Sequence, residues 1–400
     1  MLAAVLFALL AFAPLAQAAP DPVGSGSATV TLNKGFTKYL KTFGIKVQKV
    51  SPAKLKGQKL TLPGTGGEVD PTTGAGTVTL GGGIKFKAGK KSATVKGLVL
   101  DTKKKALTAK VAGKKMKFAS VGGYSYTRNG FGLNMTIKKL KLTGSAAKQL
   151  NKKTGYAKGK PKPFIGGKML GKATAEEQPS TVTIVPGGNV TFNANLELLK
   201  KLNDVETNAN VIAPTTVGGV GSFLLPLSGG SIAPTATAGV VQTSGGLLLT
   251  QKLPTSETTA LETEITLGNM WLDFSAKTVT VEVVAKSNAS SSLNLGPLGR
   301  SSIADLTLTG ATVSADSATR TVTVQNASAT LQPISAEVLE GFVKVYQAYY
   351  EAGVCASLPE KCKEPAEKEI AKKAAEEKVA SDHIAAGNPL GTFSFTAQTQ

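Results

Sequence analysis

The stretch LTLPGTGGEVDPTTGAGTVTLGGGIKF, Leu60 to Phe86, recurs later in the chain as FLLPLSGGSIAPTATAGVVQTSGGLLL, Phe223 to Leu249. Both contain L-P, then G-G, a proline four residues on, A-G-x-V and a second G-G before an alternating apolar run. Pro63 aligns with Pro226 and Pro71 with Pro234, so the two prolines have the same spacing in both stretches. Glycine tolerates positive φ and proline presets φ, so these residues fix a backbone path. The repeat therefore predicts one fold present twice.

Matches on either side extend the repeat. Upstream, TLNKGFTKYLKTF (Thr31 to Phe43) aligns with TFNANLELLKKLN (Thr191 to Asn203) at nearly the same separation along the chain. Downstream, MLGKATAEEQ (Met169 to Gln178) aligns with PLGTFSFTAQ (Pro389 to Gln398) at a much larger separation. The larger separation predicts an insertion in the second copy.

The 400 residues accordingly divide into three predicted parts. Residues 1–18 form a signal peptide, residues 19–179 a first domain and residues 180–400 a second domain with a helical insertion near 335–387. Each domain is long enough to bury a core of its own.

Period-two alternation of Val, Leu and Thr with polar residues predicts antiparallel strands throughout, as in GTVTL and RTVTVQNASATL. The fold class expected is all-β with minor helices, as two tandem antiparallel β-sandwich-like domains that each begin with a short helix. Those opening helices are predicted at 35–43 and 196–202, and a longer helix after Ser335 as its cap. Asn129-Gly130 predicts the turn of a hairpin from Tyr124 to Ile137.

The first eighteen residues, MLAAVLFALLAFAPLAQA, are apolar and end in the small-x-small pattern of a signal-peptidase site, which predicts cleavage after Ala18. No second apolar span of that length follows, so no membrane anchor is expected. The predicted localisation is secreted or cell-surface associated. In that compartment the only two cysteines, Cys355 and Cys362, predict a local disulfide.

Charge separates the two copies. Residues 19–172 contain 32 Lys and Arg against 4 Asp and Glu, a net charge of +28, and the remainder has 14 against 22, a net charge of −8. Lysine runs on strands predict a positive surface that attracts polyanions. The alternative is that lysine only keeps exposed strand edges from aggregating. The predicted polyanion-binding residues are Lys90, Lys91, Lys103, Lys104, Lys105, Lys114 and Lys115.

Catalytic and metal-binding patterns are missing from the sequence. His383 is the only histidine, which argues against triads built on histidine and against His-cluster metal sites. In the first copy Glu68 and Asp70 stand two residues apart in a turn, a spacing that suits the turn better than a pair of catalytic carboxylates. We therefore expect no enzyme and no metal site.

The opening helix, the A-G-x-V and G-G turn, the aromatic-ended strand at Phe86 and the L-x-L-D strand at 98–101 together resemble the HtaA-type domain of actinobacterial surface proteins. The resemblance implies two diverged copies of that domain and a link to haem capture. It also implies a tyrosine ligand in the opening helix, the position of Tyr39, and a histidine near 87–91, where this chain has none. In the second copy the tyrosine position falls on Leu199, if Thr31 is aligned with Thr191.

Haem is therefore one candidate cofactor, with Tyr39 as its predicted ligand. The alternative for Tyr39 is core packing, because Phe36, Tyr39, Leu40 and Phe43 share one helix face. The predicted function is an exported, non-catalytic HtaA-like binding protein, possible partners being haem, acidic cell-wall polymer or an anionic membrane surface. A structural or adhesive module acting through the Lys-rich domain is the alternative. Nucleic acid is not expected as a partner.

Overall fold

A computed structural model describes residues 20–158, 161–256, 258–357, 373 and 383–400 of the chain. The described chain forms two compact units: unit 1 extends to Thr183 and includes Gln400, and unit 2 spans Ile184–Thr399. The predicted signal peptide, Cys362 and the side chain of Cys355 lie outside the described residues, so the cleavage site and the disulfide remain predictions.

Unit 1 is built on a closed antiparallel sheet. β1, β4, β5, β6, β7, β8, β9 and β10 pair in a ring, because β4 bonds to both β1 and β5. The short strands β2 and β3 extend from β5 and β4. The strands of this sheet are β1 (Asp21–Leu32), β2 (Ile45–Val50), β3 (Lys54–Lys56), β4 (Lys59–Val69), β5 (Gly76–Ala88), β6 (Lys91–Asp101), β7 (Ala106–Val111), β8 (Lys114–Asn129), β9 (Gly132–Leu142) and β10 (Met169–Pro179). The two-residue β11 (Val182–Thr183) follows them along the chain and is not part of this sheet.

The described residues of unit 1 include two helices. The predicted opening helix is α1 (Lys34–Thr42), whose first turn is capped where the Phe36 amide donates to Asn33 Oδ1 at 3.0 Å. The second, α2 (Gly144–Thr154), was not predicted from the sequence. Its signals were present: Thr143 caps its first turn, and Gly155 ends it in the left-handed conformation with φ 91°.

Unit 2 repeats this architecture. β12, β15, β16, β18, β19, β20, β22 and β23 form its ring, because β16 bonds to both β15 and β18. β13, β14, β17 and β21 pair outside the ring. The strands are β12 (Asn189–Ala194), β13 (Thr207–Ile212), β14 (Thr216–Gly219), β15 (Ser222–Ile232), β16 (Gly239–Thr243), β17 (Gly246–Pro254), β18 (Ala260–Asp273), β19 (Thr278–Ser287), β20 (Gly296–Thr307), β21 (Thr312–Asp316), β22 (Thr321–Leu331) and β23 (Pro389–Gln398).

The helices of unit 2 for which the structure describes both ends are α3 (Leu196–Asp204), α4 (Pro333–Ser357) and one turn of 3₁₀ helix at Ser291–Leu293. α4 begins with Pro333, whose missing N–H would have no intrahelical acceptor at that position. The prediction that Ser335 caps this helix was wrong, because Ser335 lies inside the first turn and its Oγ donates to the carbonyl oxygens of Gln332 and Ile303.

α4 is the counterpart of α2. The amide before α2, at Thr143, donates to the carbonyl oxygen of Phe118, and the amide before α4, at Gln332, donates to that of Ile303. The sequence prediction placed the whole of α4 in an insertion. Its first turns instead belong to the repeated fold, so the additional chain of unit 2 follows them.

The fold class is confirmed: two tandem antiparallel β-domains with few helices, each with its sheet closed into a ring. The repeated G-G of the opening stretches marks one backbone position. Gly82 and Gly245 have φ of 80° and 81°. A Cβ on Gly82 would press against the backbone of Val50 and Ala53, and a Cβ on Gly245 against that of Ile212 and Thr215.

The predicted hairpin also forms, with its turn one residue later than expected. Asn129 pairs with Gly132, so the two loop residues are Gly130, with φ 60°, and Phe131.

Candidate functional site

Unit 1 gathers its helices at one end of the closed sheet. α1 follows the end of β1 and α2 follows the end of β9, and the β5–β6 and β7–β8 turns lie at the same end because antiparallel neighbours reverse direction at each turn. We call this the helical end. The opposite end, with the β4–β5, β6–β7 and β8–β9 turns, is the turn end.

Tyr39 lies on the solvent side of α1 at the helical end. Its side chain is 36% exposed, and its ring packs edge-on against Phe43 with 5.1 Å between centroids. The hydroxyl donates to the carbonyl oxygen of Lys162, at 3.2 Å, in the loop before β10. Phe36 and Leu40 fill the buried side of the helix. The phenol is thus packed on one side and accessible on the other.

A surface depression of about 400 Å³ opens beside Tyr39. Phe36, Ile165 and Met169 give it apolar walls, and the exposed Lys168 stands at its rim. No carboxylate lines it among the described residues. The full lining is Asn33, Gly35, Phe36, Tyr39, Pro163, Ile165, Lys168 and Met169.

These residues fit part of what a ferric haem requires. A phenolate is a competent axial ligand of haem iron, the walls suit an apolar macrocycle, and lysine suits its carboxylates. Histidine is not offered here: His383, the only histidine of the chain, belongs to unit 2, where its Nδ1 lies 3.1 Å from Glu340 Oε1. Iron ligation at this site would therefore depend on Tyr39.

The second unit does not place a leucine at the tyrosine position. Asn195 caps α3 as Asn33 caps α1, with the Leu198 amide donating to Asn195 Oδ1 at 2.9 Å, so the two helices correspond cap to cap. Tyr39 then corresponds to Lys201, and the assignment of Leu199 was wrong by two positions. Lys201 Nζ donates to the carbonyl oxygen of His383 at 2.9 Å, much as Tyr39 donates to that of Lys162.

The seven predicted polyanion-binding lysines are all exposed, but they do not form one patch. Four lie in or directly after the β5–β6 and β7–β8 turns at the helical end, and three lie in the β6–β7 turn at the turn end. Within the turn-end group, Lys104 forms an ion pair with Asp101 at 3.4 Å. The helical-end group is Lys90, Lys91, Lys114 and Lys115, and the turn-end group is Lys103, Lys104 and Lys105.

Two buried carboxyl groups near the turn end were missed by the sequence analysis. Glu177 on β10 is 3% exposed and has no hydrogen-bond partner among the described residues for either oxygen. Burial raises the pKa of Glu177 to about 7. Burial also raises the pKa of Asp21, whose Oδ1 accepts from the amide and hydroxyl of Thr183, both at 2.9 Å. The strand alternation of MLGKATAEEQ was the available signal, since it places Glu177 on the same face as Ala173 and Ala175.

Within the described ranges there is no group of three or more His, Cys, Asp or Glu side chains arranged to hold a metal ion. The helices that the structure describes include none with the length and apolar character needed to cross a membrane.

Comparison with solved structures finds similarities in fold at low sequence identity. Neither a family model nor a curated protein matches the chain. The C-terminal domain of HtaA from Corynebacterium glutamicum matches with 14% identity and a TM-score of 0.30, over 39% of this chain and 98% of that one. A domain-swapped dimer of a histidine-to-alanine variant of the same domain matches with 12% identity and a TM-score of 0.27, over 36% and 90% of the two chains. At these values the chain has a weak likeness to the HtaA fold, and no residue role transfers from it.

Proposed function

We propose that the protein is a non-catalytic binding protein and that the helical end of unit 1 binds haem. One observation carries the proposal: Tyr39 presents an accessible phenol on the wall of an apolar depression. When bound, haem would supply a ferric iron that accepts the phenolate oxygen. Phe36, Ile165 and Met169 would contact the macrocycle.

Lysine at this end supports the choice of an anionic ligand. Lys38 precedes Tyr39 on the exposed side of α1, and Lys162 and Lys168 flank the depression in the loop before β10. Each is exposed, so each can reach a carboxylate outside the apolar walls. An ion pair between an exposed lysine and a carboxylate contributes only about 1 kcal/mol or less. The orientation of the haem would therefore depend on several lysines together.

The test is a titration of the full-length protein with ferric haem, followed through its Soret band. Tyr39→Phe keeps the ring and removes the ligand oxygen. Tyr126→Phe is the matched control, because Tyr126 is also 36% exposed and also donates to a carbonyl oxygen, that of Thr72, at 2.7 Å. We expect a saturable band that Tyr39→Phe abolishes and Tyr126→Phe preserves. Equal binding by the two variants would contradict the proposal.

A second candidate function is polyanion binding by the exposed lysines of unit 1. The net charge of +28 over residues 19–172 favours it, because counterion release drives association with a polyanion. An acidic cell-wall polymer or an anionic membrane surface would be the partner. The separation of the lysines into two ends divides the prediction into two testable surfaces.

Binding to inorganic polyphosphate at increasing salt separates these surfaces. Replacing the four helical-end lysines with Gln should lower the slope of log affinity against log salt by about 0.7 to 0.9 for each phosphate that is no longer neutralised. Replacing the three turn-end lysines with Gln is the parallel experiment. Affinity that does not change with salt would exclude this function.

We further propose that the protein acts outside the cytoplasm or at the cell surface. The support is the apolar segment 1–18 and its small-x-small end. Mass determination of the protein recovered from the producing cells should place the mature N-terminus at Ala19. Recovery of intact Met1 from the cytoplasm alone would contradict this localisation.

A further inference from the structure

Unit 2 contains an apolar cavity between α3, α4 and the sheet. Its volume is about 120 Å³, close to the roughly 150 Å³ of an engineered apolar cavity that stays dry and binds benzene. Its lining is almost wholly aliphatic and aromatic, with Ser301, Ser302 and Ser335 as its polar side chains. Water gains little in such a cavity because few groups can hydrogen-bond to it.

The same region of unit 1 is filled by phenylalanine. Phe36, Phe86 and Phe164 pack together there, with 5.0 Å between the ring centroids of Phe86 and Phe164 and 6.4 Å from each of these rings to that of Phe36. All three side chains are buried.

The strand register identifies the counterparts in unit 2. Phe86 lies opposite Val47, and Leu249 lies opposite Ala209 at the equivalent place in the β13–β17 pair. Leu198 corresponds to Phe36, because the backbone amide of each donates to the Oδ1 of the asparagine that caps its helix. Leucine therefore stands at both positions, and both leucines line the cavity.

Unit 2 has phenylalanines of its own, but they do not fill this space. Phe192 stacks on Phe393 at 4.8 Å and on Phe223 at 6.0 Å, so the three rings occupy one wall. The cavity remains beside them, lined by Phe192 and Phe223. Folded proteins close most voids of this size because an empty one forfeits favourable packing.

The lining continues from the interior to the surface. Along α4 it runs from Leu339, which is 8% exposed, to Ile334, which is 73% exposed, and Leu298 on β20 adds a second exposed side chain at 44%. The mouth of the cavity is thus apolar. A ligand whose hydrocarbon is longer than the cavity could therefore lie across the mouth. On the wall, Ser302 Oγ is buried and has no hydrogen-bond partner among the described residues. A hydroxyl donor there matches the carbonyl or carboxyl oxygen of an acyl group.

We infer that unit 2 binds an acyl chain, with its acyl oxygen at Ser302 Oγ and its hydrocarbon in the cavity and across the apolar mouth formed by Leu298 and Ile334. This ligand site is separate from the proposed haem site of unit 1. Its size and aliphatic lining select a flexible chain, and its continuity with the surface leaves room for chains longer than the cavity itself.

The experiment is isothermal titration calorimetry of the full-length protein with hexanoate, octanoate and decanoate, each below its micelle concentration. We expect one site per chain and an affinity that rises about fourfold for each added methylene that becomes buried. No saturable heat with any of the three acids would overturn the inference.

Leu249→Phe introduces the residue found in unit 1 and should weaken decanoate binding at least tenfold. Leu248→Phe is its control, since Leu248 is the neighbour on the opposite face of β17 and does not line the cavity. Equal affinity of the two variants would overturn the inference.

A photoreactive decanoate analogue tests the site without any substitution. Its cross-links should map to peptides of α3, α4 and β20 in the native protein. Saturable labelling confined to other peptides would also overturn the inference.

Discussion

The hydroxyl of Tyr39 donates to the carbonyl oxygen of Lys162 at 3.2 Å, and this hydrogen bond joins α1 to the loop before β10. It is exposed, so water can replace it at little cost. Net contributions of neutral hydrogen bonds are about 0.5 to 1.5 kcal/mol, and exposure favours the lower value.

Tyr39→Phe should therefore lower the free energy of unfolding of unit 1 by about 0.5 kcal/mol. Urea denaturation followed by circular dichroism measures this directly, with Tyr126→Phe for comparison. A small effect means that a failure of Tyr39→Phe to bind haem reports the ligand oxygen. A decrease of several kcal/mol would instead show that the hydroxyl has a structural role.

The equivalence of Tyr39 and Lys201 shows where the sequence was insufficient. Sequence identity aligned Thr31 with Thr191, which would pair Asn33 with Asn193. The helix caps instead require Asn33 to correspond to Asn195, two residues later. Both helices have apolar residues at several spacings, so either alignment preserves an amphipathic face. The cap hydrogen bonds decide between them, and only the structure shows them.

Other features were readable from local chemistry. The alternation of apolar and polar residues predicted the strands. The paired glycines predicted a backbone path shared by the two copies, as Gly82 and Gly245 show, because both rules act within a few residues. Closure of each sheet was not predictable, because it depends on β4 meeting β5 and β16 meeting β18 around a complete ring. The correspondence between Phe86 and Leu249, which lines the cavity of unit 2, could be recognised only from the strand register.

Glu177 should make the stability of unit 1 depend on pH. Its folded-state pKa of about 7 lies above the ordinary value of 4.5, so the folded state binds the proton more tightly than the unfolded state does. The resulting stability is fully present below pH 4.5 and is lost as the pH rises through about 7. The shift corresponds to about 3 kcal/mol between these limits. Asp21, whose pKa is raised by burial, acts in the same direction.

Glu177→Gln should remove most of this dependence, so its unfolding midpoint should fall less than that of the native protein between pH 5 and about 8.5. Thermal unfolding at several pH values measures it. Glu176→Gln is the control, because Glu176 is the exposed neighbour on the other face of β10. Identical pH profiles for native protein and Glu177→Gln would contradict the assignment.

The two asparagine caps should contribute equally to their units. Asn33→Ala leaves the Phe36 amide without its acceptor, and Asn195→Ala does the same to the Leu198 amide. Each should cost about 1 kcal/mol of unfolding free energy. Denaturant unfolding of the full chain checks both, and Asn→Asp at either position should retain most of the stability. Retention of full stability by both alanine variants would show that the caps are dispensable.

Gly82 and Gly245, in the second G-G of each repeated stretch, should both tolerate alanine poorly. Two costs combine there: φ is near 80° in both, and the added Cβ would meet the carbonyl oxygen of Val50 in unit 1 or of Ile212 in unit 2. The left-handed conformation alone costs a non-glycine residue about 1 to 2 kcal/mol.

Gly89→Ala separates these two costs, because Gly89 has φ 54° but open space around its Cβ position. We expect Gly89→Ala to lower the unfolding free energy by about 1 kcal/mol, and both Gly82→Ala and Gly245→Ala to lower it further, since their backbone neighbours must also move. Urea denaturation of the three variants measures the differences. Equal decreases at Gly82 and Gly89 would show that the neighbouring backbone yields to the Cβ and that the positive φ alone keeps glycine at position 82.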